Sequence, residues 1–106
     1  MKSERSRDLN ERAERVLRAA AGDPEQERHA REELLRLAIP LVEAVVRDAF
    51  STSGFTADEL FRPGYLGLLN AVYNFDLSRG QPFVTYAESL IKGEVRGHIR
   101  DQAARV

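Results

Sequence analysis

Residues 34–46 restrict the fold of this chain more than any other segment, because apolar side chains cover most sides of one predicted helix. A helix with one apolar stripe can lie on a surface, whereas a helix that is apolar nearly all round must be covered by other elements. The segment therefore predicts the central helix of a helical bundle. Its apolar residues are Leu34, Leu35, Leu37, Ala38, Ile39, Leu41, Val42, Val45 and Val46.

The length of the chain, 106 residues, favours one domain with one modest core. Hydrophobic residues make up 42% and charged residues 31%, which is typical of a folded, helix-rich protein and not of a disordered tail. Cys is absent from the sequence, which excludes a disulfide scaffold, a thiolate zinc site and a cysteine nucleophile. The apolar stretches are too short for a bilayer and the N-terminus lacks a signal-peptide pattern, so we expect a cytoplasmic protein.

Hydrophobic spacing and helix-breaking residues predict an all-α fold, a compact four-helix bundle-like single domain without a strand pattern. The predicted helices span about residues 4–21, 24–50, 56–75 and 83–104. Pro40 should kink or split the second helix, because proline removes one helix hydrogen bond. Thr56 and Glu59 have the spacing of a capping box, which predicts the start of the third helix. The buried stripe of the fourth helix should comprise Ala87, Leu90, Ile91, Val95, Ile99 and Ala103.

Residue patterns typical of catalysis and of metal binding are not found in the sequence. The two histidines, His29 and His98, lie on different predicted helices without acidic residues at metal-ligand spacing, so surface histidines are the better interpretation. The glycines are scattered singly and do not form a phosphate-binding loop. No nucleophile, base and oxyanion site can be assembled. We therefore expect neither an enzyme nor a resident metal or cofactor.

The fourth helix carries a row of cations on one face. Lys92, Arg96 and Arg100 recur every fourth residue, so the row spans about 12 Å, comparable to three or four phosphates along one strand. One interpretation is contact with nucleic acid, and the other is a solvated basic face that pairs with Glu88 and Glu94. Periodicity alone leaves both open.

Aromatic and cationic residues come together at the start of the same helix. Phe83, Thr85 and Tyr86 follow a turn-rich connector, residues 76–82, that carries Arg79. Aromatic side chains beside cations can stack on unpaired bases. The competing interpretation is that Phe83 and Tyr86 anchor the helix start in the core. The pattern by itself favours the core position over a base-binding site.

Several motifs, taken together and in order, resemble the second conserved region of bacterial RNA polymerase sigma factors. They are DELFRPGYLGLLNAVYNFD at residues 58–76, SRG at 78–80, FVTYA at 83–87 and IKGEVR at 91–96. The resemblance covers about residues 20–103 and is closer to alternative than to housekeeping sigma factors. It implies an N-terminal helix preceding the core at residues 1–23 and a sigma-like helical domain at 24–106, without the downstream DNA-binding domains.

The resemblance also implies two contact surfaces. In promoter DNA, Arg79 and Tyr86 would hold the flipped adenine of the single-stranded minus-ten element, and Phe83 and Thr85 would shape that site. The row of Lys92, Arg96 and Arg100 would face the edge of the duplex. The surface for the clamp helices of the polymerase β′ subunit would comprise Glu59, Leu60, Arg62, Pro63 and Leu66.

Of two departures from the family pattern, the one at Arg62 and Pro63 leaves a second hypothesis open. Arg62 and Pro63 stand where the family nearly always has Gln and an acidic residue, and a proline inside the helix disturbs the polymerase-binding motif. Ser89 and Leu90 replace the paired tryptophans of housekeeping members. The alternative is therefore a divergent sigma-like protein that does not engage polymerase normally and acts as a protein-interaction or regulatory module, with a partner such as an anti-sigma factor.

Overall fold

A computed structural model describes residues 4–104, and this part of the chain folds into four α-helices without a strand. The helices are α1 (Glu4–Ala20), α2 (Pro24–Ser53), α3 (Ala57–Asn74) and α4 (Phe83–Ala103), and a single 3₁₀ turn (Leu77–Arg79) lies between α3 and α4. The prediction of an all-α, four-helix domain is confirmed. None of the helices in the described range is long and apolar enough to cross a membrane.

Local sequence signals account for the end of α1 and for the starts of α2 and α3. The carboxylate of Asp23 accepts hydrogen bonds from the backbone N–H groups of Glu25 and Gln26, so it caps α2, and Pro24 occupies the first helical position. The predicted capping box is present at α3: Thr56 accepts from the Glu59 N–H, and the Glu59 carboxylate accepts from the Thr56 N–H. Gly22 has a φ of +90°, which favours glycine at the end of α1.

The core consists of apolar side chains from all four helices, and none of the buried side chains between residues 4 and 104 is polar. The predicted central segment lies in it: Leu34, Ala38 and Val42 are completely buried. The short α1 also contributes, because Ala13, Leu17 and Ala20 are buried against the rest of the bundle. The largest fully buried side chains are Phe83, Leu34, Leu60, Leu68, Ile91, Val42, Val72, Val84 and Val95.

The structure excludes one of the two alternatives predicted at Pro40, and it corrects one residue of the predicted buried stripe. Pro40 lies on the exposed side of α2 and does not split it, since the helix continues from Pro24 to Ser53. The proline lacks an N–H, but the surrounding turns are held by the buried face of the helix. Ala103 is exposed and not part of the buried stripe, because α4 extends past the end of its packing partners there.

Candidate nucleic-acid interface

The connector between α3 and α4 is ordered by its own short-range hydrogen bonds. The Asp76 carboxylate accepts from the backbone N–H of Ser78 (2.9 Å) and from its hydroxyl (2.7 Å), which caps the 3₁₀ turn. Gly80 ends the turn at a φ of +71°, in the left-handed region. Arg79 is the last residue of the turn, and its Nε lies 3.9 Å from Asp76 Oδ2. The connector therefore presents a carboxylate and a guanidinium at defined positions.

These connector residues form one side of a surface pocket of about 380 Å³. Residues from the C-terminal end of α3 and from the first turn of α4 form the other side. A pocket of this size is within the range of small-molecule sites, about 300–1,000 Å³. The lining residues are Asn74, Phe75, Asp76, Arg79, Gln81 and Tyr86. The structure thus brings together Arg79 and Tyr86, two of the residues predicted to contact DNA.

Three aromatic rings form the wall behind this pocket. The Phe75 ring contacts the Phe83 ring edge-on, with centroids 5.2 Å apart, and the Tyr86 ring at a tilt, with centroids 5.8 Å apart. Phe83 is 1% exposed, so the structure places it in the core and not on a DNA-facing surface. Its part in the site is to support Phe75. Thr85 lies on the exposed side of the first turn of α4 and outside the pocket lining.

The side chain of Asp76, which lines the pocket, has a pKa shifted from its ordinary value. Its pKa is lowered, chiefly by the hydrogen bonds from the Ser78 hydroxyl and backbone N–H, and further by the charges of Arg79 and Arg31. The carboxylate is therefore ionised at neutral pH and holds the turn in place. A negative charge beside Arg79 also keeps that guanidinium near the pocket mouth.

The predicted cationic row lies on the exposed side of α4. Lys92, Arg96 and Arg100 are all exposed, and they drift around the helix as their spacing of four residues requires. Lys92 borders a groove toward α1 and α2, whereas Arg100 borders a groove toward α3. Arg100 also lies 3.8 Å from Asp101. The row is thus accessible over its whole length.

The predicted polymerase-binding residues fall into two groups. Glu59, Arg62, Pro63 and Leu66 lie along one side of a groove of about 660 Å³ between α3 and α4, and Leu66 is 47% exposed. Leu60 is 0% exposed, so it is a core residue that supports α3 and not a contact residue. The apolar spacing that places Leu60 toward the core follows from the helical period, which a motif match does not take into account.

Pro63 does not interrupt α3, which continues from Ala57 to Asn74. Its side chain is half-buried at the groove, next to the exposed Arg62. The proline still lacks the N–H that would donate to the Glu59 carbonyl.

Sequence reasoning missed two side chains that reach the connector from far along the chain. The Arg31 guanidinium, 17% exposed, donates to the carbonyls of Val72 and Phe75, and Asn10 accepts a hydrogen bond of 2.7 Å from the Val84 N–H. The Arg31–Glu27 ion pair could be found from its spacing of four residues. The contacts that span 41, 44 and 74 residues leave no local signal.

The two histidines do not come together as a site in the part of the chain described. His98 packs its ring edge-on against Phe55, with centroids 5.6 Å apart, and His29 is exposed beside Arg28. Within residues 4–104, no group of three or more metal-ligating side chains is present.

Comparisons with known proteins identify the class to which this helical domain belongs. The sigma-70 region 2 family matches residues 34–105, a range that includes the pocket, the cationic row and the groove. The chain therefore belongs to the sigma-70 region 2 family, and the resemblance predicted from the motifs is confirmed.

Individual relatives agree with this assignment. The chain is 35% identical to the RNA polymerase sigma factor SigF of Mycobacterium tuberculosis over 91% of its own length and 36% of that protein. It is 42% identical to the RNA polymerase sigma-G factor of Clostridium acetobutylicum and of Bacillus subtilis over 68% of its length. The chain spans about a third or less of these curated relatives, 36%, 28% and 27% of their lengths.

Proposed function

We propose that this chain is a sigma-type domain of transcription initiation that binds core RNA polymerase and recognises the minus-ten promoter element as it opens. The proposal rests on family membership and, above all, on one observation: Arg79 and Tyr86 line the same pocket. Catalysis is not part of the proposed role.

The pocket has the chemistry to hold one unpaired base of the non-template strand. Tyr86 offers a ring face braced by Phe75, and Arg79 offers a planar guanidinium that can stack or donate. Asn74 and Gln81 add amide groups that can pair with a base edge. Extrusion of a base from the helical stack costs a few kcal/mol of free energy. A pocket that binds only the extruded base offsets this cost. Base recognition and strand opening then become one event.

Lys92, Arg96 and Arg100 serve the adjoining duplex in this proposal. Their exposed row is about 12 Å long and can follow the phosphates of one strand. Such contacts orient the DNA without reading its sequence, so the specificity falls to the pocket. Binding through this row should weaken as salt increases.

The β′ clamp helices would bind along α3 in this proposal, at Glu59, Arg62, Pro63 and Leu66. The exposed Leu66 offers an apolar contact in the lining of the groove, and Glu59 and Arg62 offer charges beside it. Leu60 acts from beneath, as a core residue that keeps this part of α3 on the bundle.

Replacement of Tyr86 tests the base-binding site. In a complex of the chain with core RNA polymerase, Tyr86→Ala should weaken binding of fork-junction DNA by about 5- to 150-fold, the equivalent of 1–3 kcal/mol for one lost base stack. Tyr86→Phe keeps the ring and should bind like the unchanged protein. The readout is fluorescence anisotropy with an adenine or an abasic site at the extruded position. Equal affinity of Tyr86→Ala and the unchanged chain for the adenine fork would contradict the proposal.

A second candidate function is favoured by Arg62 and Pro63, which replace the usual Gln and acidic residue on the exposed part of α3. Under this alternative the groove binds a regulatory protein, such as an anti-sigma factor, and not the polymerase clamp. Interferometry with core RNA polymerase distinguishes the two. Binding by the unchanged chain supports the first function, whereas binding only by an Arg62→Gln, Pro63→Glu variant supports the second.

A further inference from the structure

Side chains from the first two helices hold both ends of the connector that carries the pocket. At the α3 end, Arg31 donates to the carbonyls of Val72 and Phe75, which the end of the helix leaves without helical partners. Glu27 fixes the guanidinium from the other side, with Oε1 3.1 Å from Arg31 Nη2 and 3.4 Å from its Nε. The Arg31 side chain is therefore held by three groups at once.

At the α4 end, Asn10 provides a cap that the local sequence lacks. The residue before α4 is Pro82, which has no side-chain oxygen and makes no capping hydrogen bond. The Asn10 side-chain oxygen accepts from the Val84 N–H at 2.7 Å, across 74 residues of chain. This N–H belongs to the helical turn that carries Tyr86.

Arg31 and Asn10 both precede residue 34, where the match to the sigma-70 region 2 family begins. The contacts that they make lie on either side of the pocket residues Asp76, Arg79 and Gln81. We infer that Arg31 and Asn10 are positioning residues that hold the α3–α4 connector in its base-binding conformation, an inference that rests on the proposed function of the pocket.

The physical basis of this inference is preorganisation. Without these two tethers, Arg31 and Asn10, the connector would be held by the internal Asp76 cap, by Leu77 against the core, and by the ends of α3 and α4. A looser connector has more conformations to lose when a base enters, and this lowers the affinity for the base and not for the phosphates. The effect of each tether should therefore appear in the preference for a base over an abasic site.

Variants of Asn10 and Arg31 test the tethers by two measurements. The first is amide hydrogen exchange of the isolated full chain at Val84 and at residues 77–81. Asn10→Ala should speed exchange at Val84 about fivefold, the effect of one lost helix cap. Asn10→Asp keeps the accepting oxygen and suits the helix dipole, so it should retain protection. Arg31→Met should speed exchange in the connector roughly tenfold, since it removes charged hydrogen bonds.

The second measurement is the ratio of affinities for adenine and abasic fork-junction DNA, in complex with core RNA polymerase. Asn10→Ala and Arg31→Met should reduce this ratio about five- to tenfold, with Asn10→Asp unchanged. Arg28→Met is the matched control on α2, because Arg28 pairs with Glu32 on the exposed surface. A merely structural role would lower the melting temperature of the chain and leave the ratio intact below it.

The outcomes separate the inference from the function on which it rests. If the unchanged chain does not bind adenine DNA more tightly than abasic DNA, the proposed function is overturned. The hydrogen-exchange data then still test whether Asn10 and Arg31 hold the connector. Unaltered exchange at Val84 and in the connector overturns the inference. If Asn10→Ala and Arg31→Met both keep the preference for adenine of the unchanged chain, the inference is also overturned, while the proposed function stands.

Discussion

Gly67 lies where the backbone of α4 passes directly over α3. A Cβ built at this position would come within 2.6 Å of the Leu90 carbonyl oxygen and 2.7 Å of the Ile91 Cα. The obstacle is backbone, which cannot rotate away as a side chain can. The absence of a side chain at Gly67 therefore sets how closely α3 packs against α4.

Alanine substitutions at two glycines should have opposite effects on stability. Gly67→Ala forces α3 and α4 apart and should lower the free energy of unfolding by about 1–3 kcal/mol. Gly93→Ala meets no other described atom within 4 Å, so its higher helix propensity should raise that free energy by about 1 kcal/mol. Urea denaturation followed by circular dichroism measures both. A loss of stability in both variants would show that Gly93 is also required for packing.

The acidity of Asp76 predicts a pH dependence of the connector. The pKa of the folded carboxyl lies below that of the unfolded one, about 3.9, because Ser78 donates two hydrogen bonds to it. The stabilisation is therefore fully present above the unfolded pKa and is lost as pH falls through the lower folded pKa. The protection factor of the Ser78 amide, which is its exchange rate relative to the intrinsic rate at each pH, should fall as pH is lowered from about 6 to about 2.

Asp76→Asn is the control for this titration. The Asn side chain keeps an accepting oxygen for the Ser78 N–H but does not titrate. The protection factor of the Ser78 amide in this variant should show no transition at acid pH. The same acid transition in both proteins would assign it to another group.

At the scale of the element, Pro40 shows how much disruption α2 can accommodate. The helix continues through the proline, which lies on its exposed side. Pro40→Ala restores an N–H that can reach the Arg36 carbonyl, so the free energy of unfolding should rise by about 1–3 kcal/mol. Thermal unfolding measures this change, with Glu43→Ala as a control on the same helix. A drop in stability would mean that α1 packs on a bend which Pro40 produces.

The presence of each helix and most helix boundaries could be predicted from the sequence, because the signals for them are local. Asp23-Pro24 and the box of Thr56 and Glu59 are complete within four residues of chain, and the structure contains both caps. The central segment was predictable for the same reason, since nearly all of its surface is apolar. Ala103 was predicted wrongly, because a helical period does not indicate where the neighbouring helices stop.

The candidate site was only partly predictable from the sequence. Motif resemblance identified Arg79 and Tyr86, which share the pocket, but it grouped them with Phe83, whose side chain is buried behind it. The motif resemblance likewise placed the buried Leu60 among the exposed residues predicted to bind polymerase. The contacts of Arg31 and Asn10 depend on how helices far apart in the sequence pack together. Patterns among neighbouring residues do not indicate that packing.

For the whole molecule, the question is whether residues 1–23 are separable from residues 24–106. The buried Ala13, Leu17 and Ala20 argue that they are not. Deletion of residues 1–23 should lower the free energy of unfolding by about 3–5 kcal/mol, from the apolar burial that is lost. Single domains are commonly stable by only about 5–15 kcal/mol, so the fragment should be marginal.

Urea denaturation of the fragment beside the full chain measures this loss. Leu17→Ala in the full chain is the accompanying variant and should cost about 2–5 kcal/mol. A fragment with an unchanged unfolding midpoint would establish residues 24–106 as an independent folding unit and would contradict the packing described for α1.

The hydrogen bond between Asn10 and Val84 has a consequence for the order of events during synthesis. Its two partners are 74 residues apart, so Asn10 leaves the ribosome well before Val84. At about 5–20 residues per second, the interval is roughly 4–15 s. Within that interval, after Ser53 has emerged and before α3 has, α1 and α2 are present without the partners that complete their apolar faces. The nascent chain therefore passes through a stage in which these faces are open to chaperones, and the pocket is finished only after its last helix has emerged.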